Sequence, residues 1–157
     1  MSEKEWVMAR NYTQGFFIPK HPKKYKGNVQ NIKYRSGWEL TFMMRCDTDP
    51  NIIHWSSEEL EIPYISPIDK KKHRYFPDFL MQVRQHDGKK KTFVVEIKPY
   101  VETREPVINN TRKKKKTILR EAKTYSVNQA KWAYAKQWCA DRKIEFLVIT
   151  EKELYGS

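Results

Sequence analysis

Apolar positions in this chain come in short blocks separated by polar and basic stretches. Residues 1–14 carry no clear periodicity, and 15–35 form a loop-like arm rich in Lys, Pro, Gly and Asn. The first helical pattern is RSGWELTFMMRC, where Ser36 is a good N-cap and Trp38, Phe42 and Met43 share a face. Asp49-Pro50-Asn51 ends it. EELEIPYISP (58–67) alternates Leu60, Ile62 and Tyr64 as a strand, with Pro63 suited to an edge or a bulge. After a polar connection at 66–72, strands are expected at about 76–84 and 91–98.

Residues 100–117 read as a long basic loop, a length that usually marks a functional or a mobile segment. A short helix is expected from Thr117. A longer one is expected from Ser126, which forms a capping box with Gln129 ahead of Ala130, Ala133, Tyr134 and Trp138. IEFLVIT (144–150) is nearly all apolar, the pattern of a strand buried on both faces. The order helix, strand, strand, strand, helix, strand predicts an α/β domain with a mixed sheet between helices. One domain is expected over 1–157, with 1–35 as a basic, partly irregular N-terminal arm.

The two central strands contain an anomaly. Asp78 lies in the first, and Glu96 and Lys98 lie two apart in the second, where charge is costly unless paired, exposed or in use. In 91–98, Phe93, Val95 and Ile97 point one way and Val94, Glu96 and Lys98 the other. A two-residue Asp87-Gly88 turn would set Asp78 opposite Ile97, on the wrong face. A three-residue His86-Asp87-Gly88 loop pairs Gln85 with Lys89 and sets Asp78 opposite Glu96. That loop wants a left-handed last residue, which Gly88 supplies.

Two converging carboxylates suit Mg²⁺, and a metal with a nearby lysine suits phosphodiester chemistry. An ion pair of these acids with Lys98 or Arg84 on a half-exposed sheet is the plainer alternative.

Charge points the same way. Lys plus Arg number 31 against 19 Asp plus Glu, a net +12 that favours a polyanionic partner. The excess is clustered in PKHPKKYKGN, DKKKHR and TRKKKKT, with Tyr25, Tyr75 and Phe76 close to two of these runs. Nucleic acid is therefore the expected partner. Candidate DNA contacts are Lys23, Lys24, His73, Arg74, Arg112, Lys113, Lys114, Lys115 and Lys116. No apolar run is long enough for a membrane span, and MSEKEWVMAR lacks a signal-peptide core, so neither membrane nor export is expected. Cys46 and Cys139 are far apart, which fits a reducing compartment, and the four histidines lack zinc-like spacing.

The spacing PD-x17-E-I-K, from Pro77-Asp78 to Glu96-Ile97-Lys98, resembles the PD-(D/E)xK nuclease superfamily. The order of elements around it is that of the superfamily's restriction-endonuclease-like αβββαβ core. The resemblance implies Asp78, Glu96 and Lys98 as catalytic residues, with Asp78 and Glu96 as metal ligands. It adds Glu39 from the preceding helix as a further ligand and catalytic residue, although Ser36-x-x-Glu39 is itself a capping box. The implied cofactor is Mg²⁺, with Mn²⁺ as a substitute and no small-molecule cofactor. Glu58, Glu59 and Glu61 could add a carboxylate, but read first as a solvated strand border. Tyr125, Asn128, Gln129 and Lys131 begin a helix that could lend a polar residue.

Over about residues 15–156, NIKYRSGWEL, IIHWSSEELEIPYISPIDKKKHRYFPDF, VVEIKPY and NQAKWAYAKQWCADRKIEFLVITEKELYG resemble the head completion nucleases of T4-like bacteriophages. The same core is similar to the TnsA-type endonuclease subunit of a bacterial transposase, relative to which Glu96 stands where Gln is found. These resemblances imply a Mg²⁺-dependent DNA endonuclease acting on DNA ends during phage head completion, with phage head, portal or neck proteins as partners. They place it in the host-cell cytoplasm or on the virion. A non-catalytic head-closure protein that holds DNA, and a structure-selective junction nuclease, are the competing readings.

Overall fold

Ser36 starts the first helix as expected. Its hydroxyl accepts the Glu39 N–H at 3.1 Å, and α1 (Gly37–Thr48) follows. Trp38, Phe42, Met43 and Cys46 recur at helical spacing and are buried. Asp49 ends the helix, its N–H on the Arg45 carbonyl, with Pro50 beyond. The structure, a computed structural model, describes residues 14–109 and 112–156. The irregular start read over residues 1–13 lies outside the described residues.

A four-stranded sheet packs against α1. Its strands are β3 (Ile52–Ser57), β6 (Phe79–Arg84), β7 (Lys90–Ile97) and β8 (Glu145–Ile149), in that spatial order. The first three are antiparallel, and β8 runs parallel to β7, so the sheet is mixed. On the α1 face, Ile52, Trp55, Phe79, Val95 and Ile97 join Trp38, Phe42 and Leu154 in one core. The other face is covered by α3 (Lys115–Asp141), whose Trp132 and Ala135 pack with Phe146 and Val148. The order α1, β3, β6, β7, α3, β8 is the αβββαβ arrangement of the restriction-endonuclease-like fold.

Several elements differ from the sequence expectation. The first core strand is β3, not 58–67. His54, Ser56 and Ser57 break its apolar pattern, yet both serines are buried. Only Ile62–Ile65 of the expected strand forms β4, paired with β5 (Lys72–Tyr75) in a separate hairpin. The two expected helices are one continuous helix of 27 residues, α3, and Ser126 lies inside it. No Gly or Pro interrupts residues 107–155, so nothing stops the helix between Thr117 and Ser126. The stretch expected as a long loop also holds one helical turn, α2 (Tyr100–Thr103). β8 is the strand expected, but it lies at the sheet edge and is half-buried.

The described part of the basic arm is held to the body. It carries β1 (Gly15–Phe16) and β2 (Lys33–Tyr34), and buries Tyr25 and Ile32. The Asp47 carboxylate accepts the Lys20 and His21 N–H groups at 2.8 and 2.9 Å. Lys26 donates its N–H to the Trp55 carbonyl at 2.8 Å, so the arm covers the β3 edge. A last helix, α4 (Glu151–Tyr155), starts from a Thr150–Glu153 capping box. Among the described residues, no helix is long and apolar enough to cross a membrane.

Candidate active site

The β6–β7 turn sets the register of the site. Gln85 and Lys89 are bonded at 2.8 Å across a His86-Asp87-Gly88 loop, and Gly88 has φ +84°. Phe79 then pairs with Val95, so the residues just before and after that pair, Asp78 and Glu96, are opposite. Asp78 itself precedes the strand, and its Oδ2 accepts the Ile97 N–H at 2.7 Å.

Three carboxylates meet there. Glu39, Glu58 and Asp78 each bring one oxygen within 4.8 Å of the others. Glu39 comes from the first turn of α1, and Glu58 follows the last residue of β3 with φ +55°. The Glu58 N–H donates to the Asp78 carbonyl at 3.1 Å, which ties the ends of the two strands together. Glu58 is also paired with the Arg35 guanidinium.

Glu39 serves the cap and also reaches the carboxylate cluster. Its Oε2 accepts the Arg35 N–H at 3.0 Å, one residue earlier than the usual capping-box partner, while the same carboxylate belongs to the cluster.

Glu96 is buried beside this cluster. Its Oε2 accepts the Tyr75 hydroxyl at 2.7 Å, and its Oε1 lies 3.6 Å from Lys98 Nζ. Lys131, on α3, stands over the rings of Tyr64 and Tyr75 at 5.8 and 5.6 Å.

The electrostatics follow from crowding acids in a half-buried place. Burial, then the charges of Glu96 and Glu39, push the Asp78 carboxyl well above the ordinary carboxylate range. Burial also raises Glu39, against the Arg35 amide and with help from Glu58. Glu96 is raised by burial, opposed by Lys98 and the Tyr75 hydroxyl. Lys131 is lowered by burial and then by Lys98, with Glu96 opposing.

The family model described as "TnsA-like endonuclease N terminal" matches residues 49–151. The chain belongs to the TnsA-like endonuclease family. The match spans Glu58, Asp78, Glu96, Lys98 and Lys131, and leaves Glu39 outside it. A curated protein, the head completion nuclease of Enterobacteria phage T4, is 40% identical to this chain over 142 residues, covering 89% of this chain and 92% of the relative.

Of the expected site residues in this TnsA-like chain, Glu39, Asp78, Glu96 and Lys98 thus gather at one end of the sheet. Glu58 joins them from a position that reads in sequence as a strand border. Its signal is IIHWSS, directly before Glu58, which is itself a strand and brings Glu58 beside Asp78. Tyr75 stands out in the sequence only as an aromatic near a basic run. Lys131 is one of several polar residues at the start of the expected helix, with nothing in the sequence to single it out.

The expected DNA contacts are more scattered. Lys24 gives its ammonium to the Asp47 and Asp49 carbonyls at 3.0 and 2.8 Å, capping α1, and leaves Lys23 as the exposed charge of that pair. His73 is bonded to Asp69 at 2.7 Å, and Arg74 lies 3.8 Å from Glu61 and stacks on Phe76. Lys113 is paired with Glu121 at 2.9 Å, while Lys115 and Lys116 open α3. Arg112 and Lys114 lie on the exposed approach to it.

Proposed function

We propose that the chain is a metal-dependent endodeoxyribonuclease that hydrolyses phosphodiester bonds, with Mg²⁺ as cofactor and Mn²⁺ able to replace it. The observation that carries this reading is the convergence of Glu39, Glu58 and Asp78, with Glu96 and Lys98 beside them. An all-oxygen donor set suits a hard divalent cation, and the raised Asp78 carboxyl is what crowded acids give without one. Asp78, Glu39 and Glu96 are the proposed ligands, joined by Glu58. A bound cation would supply charge neutralisation at the scissile phosphate and make water more acidic.

The chain's own groups do the rest. The Ile97 N–H fixes one Asp78 oxygen, and the Tyr75 hydroxyl fixes one Glu96 oxygen. Lys98, one strand period beyond Glu96, holds its ammonium where it stabilises charge developing on the attacked phosphate. The DNA backbone runs along the basic surface, for which Lys23, His73, Arg74, Arg112, Lys113, Lys114, Lys115 and Lys116 remain the proposed contacts.

The biological setting, DNA ends during phage head completion with head, portal or neck proteins as partners, is proposed from the name of the phage T4 relative. So is a location in the host cytoplasm or on the virion. The test is purified protein with supercoiled and linear DNA, in Mg²⁺, Mn²⁺ or EDTA. Cutting with either metal and none in EDTA is expected, and no cutting of any DNA form with either metal would overturn the proposal.

A further inference from the structure

The chain leaves β3 at Ser57 and re-enters the sheet at Phe79, and the excursion between them contains the β4–β5 hairpin. Its two root residues are Glu58 and Asp78, both members of the carboxylate cluster, joined by the Glu58 N–H to Asp78 carbonyl bond. A third tie is the Tyr75 hydroxyl on Glu96. One side of the hairpin is firmly seated, since Ile62, Tyr64 and Tyr75 are buried against Trp132 and Ala135 of α3. It is therefore a fixed projection built on the site.

Its other side is exposed and basic. Strand alternation puts Pro63, Ile65, Lys72 and Arg74 outward, and the exposed Lys70 and Lys71 occupy the turn. Lys70, Lys71 and Lys72 form no salt bridge among the described residues, whereas Lys91, Lys98 and Lys113 each have one.

Resting on the nuclease reading above, we infer that the β4–β5 hairpin is a duplex-binding arm whose Lys70, Lys71 and Lys72 hold the phosphate backbone beside the cleavage site. The reach fits. The four residue steps from Tyr75 back to Lys71, just beyond β5, rise about 13 Å at ~3.3 Å each. Along the duplex axis, phosphates of one DNA strand recur about every 3.4 Å, so an arm laid along that axis spans about four nucleotides of flanking duplex. The partner is backbone and not bases: the outward positions offer ammonium groups, the Arg74 guanidinium and aliphatic side chains, and the exposed Phe76 ring has Arg74 stacked over it. Because the roots are proposed metal ligands, DNA held on the arm is held in register with the cluster.

The test compares wild type with the combined variant Lys70→Asn, Lys71→Gln, Lys72→Gln. Asn suits position 70, where φ is +61°. A second variant, Lys89→Gln with Lys90→Gln, removes exposed lysines at the opposite end of the β6–β7 hairpin as a control. Affinity for a blunt 40-bp duplex, a probe length of roughly four helical turns, is measured by fluorescence anisotropy in EDTA across a salt series. Melting temperature checks that each variant folds. The slope of log K against log salt should fall by about 2.7 in the hairpin variant, ~0.9 for each phosphate no longer neutralised, and should hold in the control. Equal slopes in wild type and hairpin variant, or no DNA binding by wild type, would overturn the arm. Because binding is read without metal, a hairpin-dependent slope in a protein that never cuts would uphold the arm and sink the nuclease reading instead.

Discussion

The Tyr75 hydroxyl donates to Glu96 Oε2 at 2.7 Å from a strand that is not part of the four-stranded sheet. A buried acid beside Asp78 is thereby held in one orientation by an element packed on α3. The bond also favours the charged form of Glu96, against the burial that raises its pKa.

Tyr75→Phe keeps the ring and removes that donor. The acid limb of the pH–rate profile should move to higher pH, because Glu96 loses a bond that stabilises its carboxylate. The Mg²⁺ concentration for half-maximal cleavage should rise, on the order of tenfold for a hydrogen bond to a charged group worth ~1.5 kcal/mol. An unmoved pH profile and unmoved metal requirement would make Tyr75 a packing residue only.

Glu58→Gln should cut cleavage by on the order of 100-fold, since removing one charge from the proposed metal-holding set would weaken both binding and charge stabilisation. Glu59→Gln, at the exposed neighbouring position, should cleave as wild type does. Equal activities of the two variants would remove Glu58 from the site.

Glu39 allows the cap and the proposed ligand role to be separated. Glu39→Gln keeps a side-chain carbonyl for the Arg35 N–H and relieves repulsion with the neighbouring acids, so the melting temperature should not fall while cleavage falls steeply. Glu39→Ala should lose both, with about 1 kcal/mol of stability gone with the cap. Full cleavage by Glu39→Gln would leave Glu39 as a cap alone.

Much of this site is legible in the chain because it depends on short-range rules. Turn parity and a left-handed Gly88 permit the register that sets Asp78 opposite Glu96, and Ser36 marks the start of α1. Glu58 is harder to see, because its strand carries His54, Ser56 and Ser57, and burial of serines has no periodic signature. Tyr75 is hidden in KHRY, where three exposed polar residues precede one buried ring. The length of α3 is obscured by Ser126, because the S-x-x-Q pattern that marks a helix start can also lie, unused as a cap, inside a continuous helix.

The crowded acids also make a stability prediction. Asp78, Glu39 and Glu96 have raised pKa values in the folded chain, so each contributes stability that is full below its unfolded value near 4. That contribution is lost as pH rises through the folded values. In EDTA, Asp78→Asn should therefore melt higher than wild type at neutral pH, by about 2–4 °C for each kcal/mol relieved. The gap should close towards pH 4. Mg²⁺ should raise the melting temperature of wild type and leave Asp78→Asn little changed. A variant that melts lower than wild type in EDTA at neutral pH would contradict the repulsion.

The most direct measurement is nicking and linearisation of supercoiled plasmid by wild type, Asp78→Asn, Glu96→Gln and Lys98→Ala in Mg²⁺, with gel-shift affinity recorded alongside. Wild type should cut, and both acid variants should not. Lys98→Ala should lose most of its rate through lost charge stabilisation, a loss on the order of 100-fold. All three variants should still bind DNA, because the distributed basic surface is intact. The same metal-dependent rate in wild type and Asp78→Asn would contradict the account, since the residue at the centre of the cluster would then play no part in the chemistry.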